Sequence, residues 1–67
     1  MLLKNNHEVI GYLYNIEKTE GMLKIRFTAE FDIDVPVAVF PVEKLQDLLG
    51  QRIGILNIDG EYRLRKI

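Results

Sequence analysis

The chain has 67 residues, 48% of them hydrophobic and 28% charged, with a formal net charge of −1. It holds no cysteine, which excludes a disulfide framework and a thiolate metal site. No apolar run approaches the roughly 18 residues of a membrane span, and a pI of about 5.7 lies far below the value of about 9 or more expected of a nonspecific nucleic-acid binder.

A chain this short makes one domain, spanning residues 1–67, at the lower end of what folds unaided. Residues 1–7 read as a short, poorly fixed lead-in, with Leu2 and Leu3 able to pack back on the body. They lack the form of a signal peptide, so a cytoplasmic location without membrane contact is expected. The charges are uneven: residues 1–50 carry five bases and eight acids, and residues 51–67 carry four bases and two acids.

From Glu8 to Glu17 the pattern is strand-like. Ile10, Tyr12, Tyr14 and Ile16 alternate with Val9, Gly11, Leu13 and Asn15, and the first set is assigned to the core. Lys18-Thr19-Glu20-Gly21 reads as a four-residue loop with Gly21 in the left-handed region. That loop predicts the pairs Ile16–Leu23, Tyr14–Ile25 and Tyr12–Phe27.

The cleanest alternation starts at Met22. Leu23, Ile25, Phe27, Ala29, Phe31 and Ile33 share one face; Lys24, Arg26, Thr28, Glu30, Asp32 and Asp34 share the other. The chain is expected to turn near Asp32-Ile33-Asp34, with a third strand from Val35 to Phe40. Pro36 cannot donate to a ladder and so belongs at a strand start or on an edge.

Pro41 opens the one helical pattern. Val42, Leu45, Leu48 and Leu49 share an apolar face, opposite Glu43, Lys44, Gln46 and Asp47. Pro41 suits the first turn and Gly50 the left-handed position beyond the end. About two turns cannot stand alone, so this helix must plug an end or cover a face.

Residues 51–67 read as a β-hairpin reversed at Asp59-Gly60, a strong type I′ signal. A two-residue loop pairs Ile58 with Glu61, Asn57 with Tyr62 and Ile55 with Leu64. Ile53, Ile55, Tyr62 and Leu64 then face the core, and Arg52, Gly54, Leu56, Ile58, Glu61, Arg63, Arg65 and Ile67 face outward. The order β-β-β-α-β-β predicts a mainly β fold: a small five-stranded OB-like barrel with one short helix, an SH3-like barrel being the runner-up.

The chemistry available for catalysis is sparse. Serine is absent as well as cysteine, and Thr19 and Thr28 have no base in view. The single histidine, His7, precedes the first strand, where a surface position is expected. No enzyme activity and no cofactor are therefore expected. Glu30, Asp32 and Asp34 would aim three carboxylates one way on an extended strand, a grouping that suits a hard cation, although acids at a strand end also deter edge pairing.

Two surfaces stand out for binding. Val9, Leu13, Leu56, Ile58 and Ile67, with Arg63 and Arg65, form an outward set that is mostly apolar and suits a second subunit or another protein. Lys24, Arg26, Arg52, Arg63 and Arg65 form a basic set that suits single-stranded nucleic acid, with few aromatics on outward faces to stack bases. The preferred expectation is a non-catalytic interaction module or assembly subunit that self-associates through the outer face of the last hairpin. The alternative is a nucleic-acid-binding barrel.

Overall fold

The structure, a computed structural model of the chain, describes residues 2–28 and 31–67. It is mainly β. In chain order come β1 His7–Thr19, β2 Met22–Phe27, β3 Phe31–Pro36, a 3-10 turn Val37–Val39, α1 Val42–Gln46, β4 Arg52–Ile58 and β5 Glu61–Lys66. The strands pair antiparallel in the order β3-β2-β1-β4-β5. β3 and β5 are the two edges, so the sheet is open and the expected closed barrel is not reached.

The closing hairpin has the expected register. Ile58 pairs with Glu61, Asn57 with Tyr62, Ile55 with Leu64 and Leu56 with Arg63. Asp59 (φ 52°) and Gly60 (φ 82°) both take the left-handed region, as a type I′ turn requires. Ile53 and Ile55 are fully buried, and Tyr62 and Leu64 pack against the core at its margin.

β1 departs from expectation in its facing. Leu13 is 1% exposed, and Val9 packs against the core, whereas Ile10 (40%), Tyr12 (53%) and Tyr14 (67%) are exposed. The cause is a β-bulge. Leu13 pairs with Phe27 and Asn15 with Arg26, which leaves Tyr14 as an extra residue. Odd residues point inward before the bulge; after it the parity reverses, and Ile16 packs inward opposite Ile25. Gly11 lies inward too. A Cβ there would meet Phe27 Cδ1 at 3.1 Å and Phe31 Cζ at 3.3 Å, so its bare backbone makes room for those rings.

The β1–β2 connection is also tighter than the expected four-residue loop. Thr19 pairs with Met22 across Glu20 (φ 36°) and Gly21 (φ 81°), a two-residue hairpin. With the bulge this replaces the pairs predicted for Ile16, Tyr14 and Tyr12.

The second reversal falls earlier than Asp32-Ile33-Asp34. β2 ends at Phe27, β3 begins at Phe31, and those two residues pair. Such a register keeps odd residues inward on both strands. Leu23, Ile25, Phe27, Ile33 and Val35 are accordingly all buried, and the same parity faces inward on β2 and on β3. Residues Val37–Val39 form a 3-10 turn where a strand was expected. Pro36 ends an edge strand, as its missing donor demands. The expected facing of Ala29 and Glu30 lies outside the described residues.

Pro41 sits at the N-cap of α1, one position before the first turn. Leu45 is fully buried, Val42 and Leu48 pack against the core, and Leu49 is exposed. Gly50 (φ 83°) takes the left-handed position beyond the helix. The following segment is tied to β1: Gly50 N–H donates to Leu13 O (2.8 Å), and Leu13 N–H donates to Gln51 O (2.9 Å).

Residues 2–6 of the lead-in are fixed rather than loose. Leu3 is buried, and the Asn57 amide, itself 6% exposed, donates from Nδ2 to Leu3 O at 2.8 Å. Asn57 Oδ1 accepts from Gly60 N–H (2.9 Å), and Asn57 O accepts from Asn6 N–H (2.6 Å). Asn5 Nδ2 donates to Asp59 Oδ1 (2.8 Å), and Asn5 Oδ1 accepts from Asp59 N–H. Leu2 makes a parallel bridge to Asp34 on β3. Residues 2–6 thus form a strap from the β3 edge to the tip of the β4–β5 hairpin.

Candidate functional site

The cross-strand register sets out the outer face of β1, β4 and β5 in rows. Glu8 lies beside Leu56, which lies beside Arg63; Ile10 lies beside Gly54, which lies beside Arg65; Tyr12 lies beside Arg52. Ile67 follows β5 and donates its N–H to Arg52 O (3.0 Å). Ile10, Tyr12, Ile58 (37%) and Ile67 (46%) are exposed on this face, with Leu56 half-buried among them.

The outward set predicted from sequence is therefore corrected in two members. Val9 and Leu13 belong to the core side, and Ile10 and Tyr12 occupy the outer face in their place. Leu56, Ile58, Arg63, Arg65 and Ile67 lie on the side expected of them. The signal for Ile10 and Tyr12 was present as apolar residues at both parities of β1, but the alternation does not reveal a bulge.

Gly54 is the low point of the face. A Cβ there would meet Glu8 Oε2 at 3.0 Å, Ile67 Cδ1 at 3.3 Å and Ile10 Cγ1 at 3.5 Å, so these side chains converge over it. Arg65 holds Glu8 in a two-point pair, Nε to Oε2 at 3.0 Å and Nη2 to Oε1 at 3.1 Å. Arg63 Nη2 reaches Glu61 Oε1 at 3.4 Å.

The predicted basic set does not form one track. Lys24 and Arg26 lie on β2, opposite Asp34 and Asp32 of β3, and Arg26 Nη2 also approaches Glu17 Oε2 at 3.5 Å. Arg52, Arg63 and Arg65 lie on the β4–β5 hairpin. Four of the five bases thus have a carboxylate beside them, which lowers the positive potential a phosphate backbone would meet.

A third feature lies at the bulge. Tyr14, Arg26, Phe27, Thr28, Phe31 and Asp32 line an open cleft of about 410 Å³. Behind it the Phe27 and Phe31 rings stack, with centroids 4.8 Å apart and planes 15° from parallel.

His7 begins β1 in an exposed position, paired with Asn57. Among the described residues no group of three or more histidine, cysteine or acidic side chains is placed to hold a metal ion. Glu30, one of the three carboxylates considered for that role, lies outside them. Also among the described residues, no helix is long and apolar enough to cross a membrane. No protein-family model, curated protein or solved structure matches the chain.

Proposed function

We propose that this chain is a non-catalytic interaction module, a five-stranded OB-type barrel left partly open between β3 and β5, which pairs with a second copy of itself through the outer face of β1, β4 and β5. Support for the OB type comes from β1 being shared between two hairpins and from the helix lying between β3 and β4. The single observation behind the pairing is the exposure of Ile10, Tyr12, Ile58 and Ile67 on one sheet face. Glu8 and Glu61 share that face with Arg52, Arg63 and Arg65, so it carries both signs of charge, as a self-complementary surface needs.

Size limits the strength of such a dimer. A standard interface buries about 800 Å² per partner, close to a fifth of this chain's 4412 Å² surface. Nearly the whole face would be used, and a reversible dimer is expected. Light scattering across a dilution series tests it. The parent chain should move from dimer to monomer mass, and the double variant Ile58→Lys/Ile67→Glu should stay monomeric with an unchanged circular dichroism spectrum. A parent chain of monomer mass throughout would overturn the reading.

A second reading, binding to single-stranded nucleic acid, is favoured by one observation. Tyr12 and Tyr14 are exposed, which supplies outward aromatics near Arg52 and Arg26. It requires an affinity for oligonucleotides that falls steeply as salt rises. Charge-reversed variants at Lys24, Arg26, Arg52, Arg63 and Arg65 should abolish it, and binding insensitive to salt would count against it.

A further inference from the structure

We propose that the cleft beside the β1 bulge binds an uncharged planar heterocycle of the nucleobase class, with Tyr14 as its stacking platform. The inference goes beyond self-association and does not depend on it. A bulge interrupts the ladder and re-aims the residue it adds, and here that residue is a tyrosine left 67% exposed at the cleft margin. Phe31, half-buried and held in orientation by its stack on the buried Phe27, lines the same cleft. The inward-facing Gly11 lets that pair lie close against β1. A flat ring entering the cleft and lying on Tyr14 would gain aromatic contact on a site that is already formed.

The polar groups select the kind of ring. Arg26 offers guanidinium donors, Asp32 a carboxylate acceptor, and Thr28 a hydroxyl able to do either. Arg26 and Asp32 are cross-strand neighbours of opposite charge, so the cleft favours a neutral ligand over a phosphate or an ammonium. The Arg26–Glu17 contact at 3.5 Å joins two side chains each about half exposed, and such a pair yields readily to a ligand. Mixed donors and acceptors around a flat apolar slot match the edge and faces of a nucleobase. The cleft's roughly 410 Å³ falls within the range of small-ligand sites.

Such a ring has two sources, a free nucleoside or a base of a single strand, and two arms of one experiment separate them. The isotopically labelled full chain is titrated by NMR with the four ribonucleosides, and separately with a short single-stranded oligonucleotide at low and high salt. Saturable shifts at the Thr28 and Asp32 amides are expected in at least one arm. Nucleoside saturation identifies the free molecule; saturation by the strand alone, weakened by salt, identifies the polymer. Replacing Tyr14→Ala should weaken binding about 5- to 150-fold, the span of one base–aromatic stack. Tyr14→Phe should retain it, as should Ile58→Lys, whose position lies outside the cleft. Absence of saturable shifts in both arms would overturn the proposal. So would unchanged binding by a folded Tyr14→Ala variant.

Discussion

The reversed facing of β1 makes a sharp quantitative prediction. Leu13 is 1% exposed and lies opposite Phe27, so Leu13→Ala removes buried methyl groups and leaves a cavity. Such a change costs about 2–5 kcal/mol. A 67-residue domain at about 0.05–0.15 kcal/mol per residue holds roughly 3–10 kcal/mol in total. The variant should therefore lose a large part of its stability, with a melting temperature lower by about 4–8 °C per kcal/mol. Tyr12 is 53% exposed, and Tyr12→Ala should cost no more than about 1 kcal/mol. Urea unfolding followed by far-ultraviolet circular dichroism, with a common slope, gives both numbers. A Tyr12→Ala loss larger than that of Leu13→Ala would refute the inward placement of odd residues.

Other outcomes follow from the strap, the turns and the surface pair. Asn57→Ala should destabilise by about 1–3 kcal/mol, because the buried Leu3 carbonyl loses its donor; a loss under about 0.5 kcal/mol in the same urea assay would mean that water replaces the amide. Gly60→Ala places a Cβ at φ 82°, and a loss of about 1 kcal/mol is expected, whereas a neutral result would mean the turn adopts another type. Arg65→Ala breaks a pair whose arginine side chain is 63% exposed, so a change within about 1 kcal/mol is expected, shrinking further in high salt.

The closing hairpin was legible because its turn is chemically explicit. Asp59-Gly60 admits one tight reversal, and the apolar residues beyond it fall on one parity in both arms. In β1 both parities are apolar, with Val9 and Leu13 on one side and Ile10, Tyr12 and Tyr14 on the other. Period alone does not choose between them, and the choice made by tertiary packing depends on a bulge that leaves no mark in the pattern. The β2–β3 reversal was hidden for the opposite reason. Pairing Phe27 with Phe31 preserves parity, so two strands have the alternation of one long strand. The strap was legible in part, through the apolar Leu3 that packs back on the body while Leu2 stays exposed, but its anchors Asn5 and Asn57 act through side-chain hydrogen bonds over 54 residues. The outer face was accordingly half legible: its β4–β5 half was placed correctly, and its β1 half was inverted. The bulge cleft, made from residues on three strands, has no signature along the chain.

Among the described residues β1 joins the β2–β3 pair to the β4–β5 pair, and this has a kinetic consequence. Its ladder to β2 closes across two residues, whereas its ladder to β4 joins His7 to Asn57 across most of the chain. The near ladder forms at little entropic expense; the far one must wait for a long loop to close. Substitutions at Leu23 or Ile25 should therefore slow refolding, while those at Ile53 or Ile55 should mainly hasten unfolding. The amino-terminal meander would then serve as the template on which the carboxy-terminal ribbon docks last.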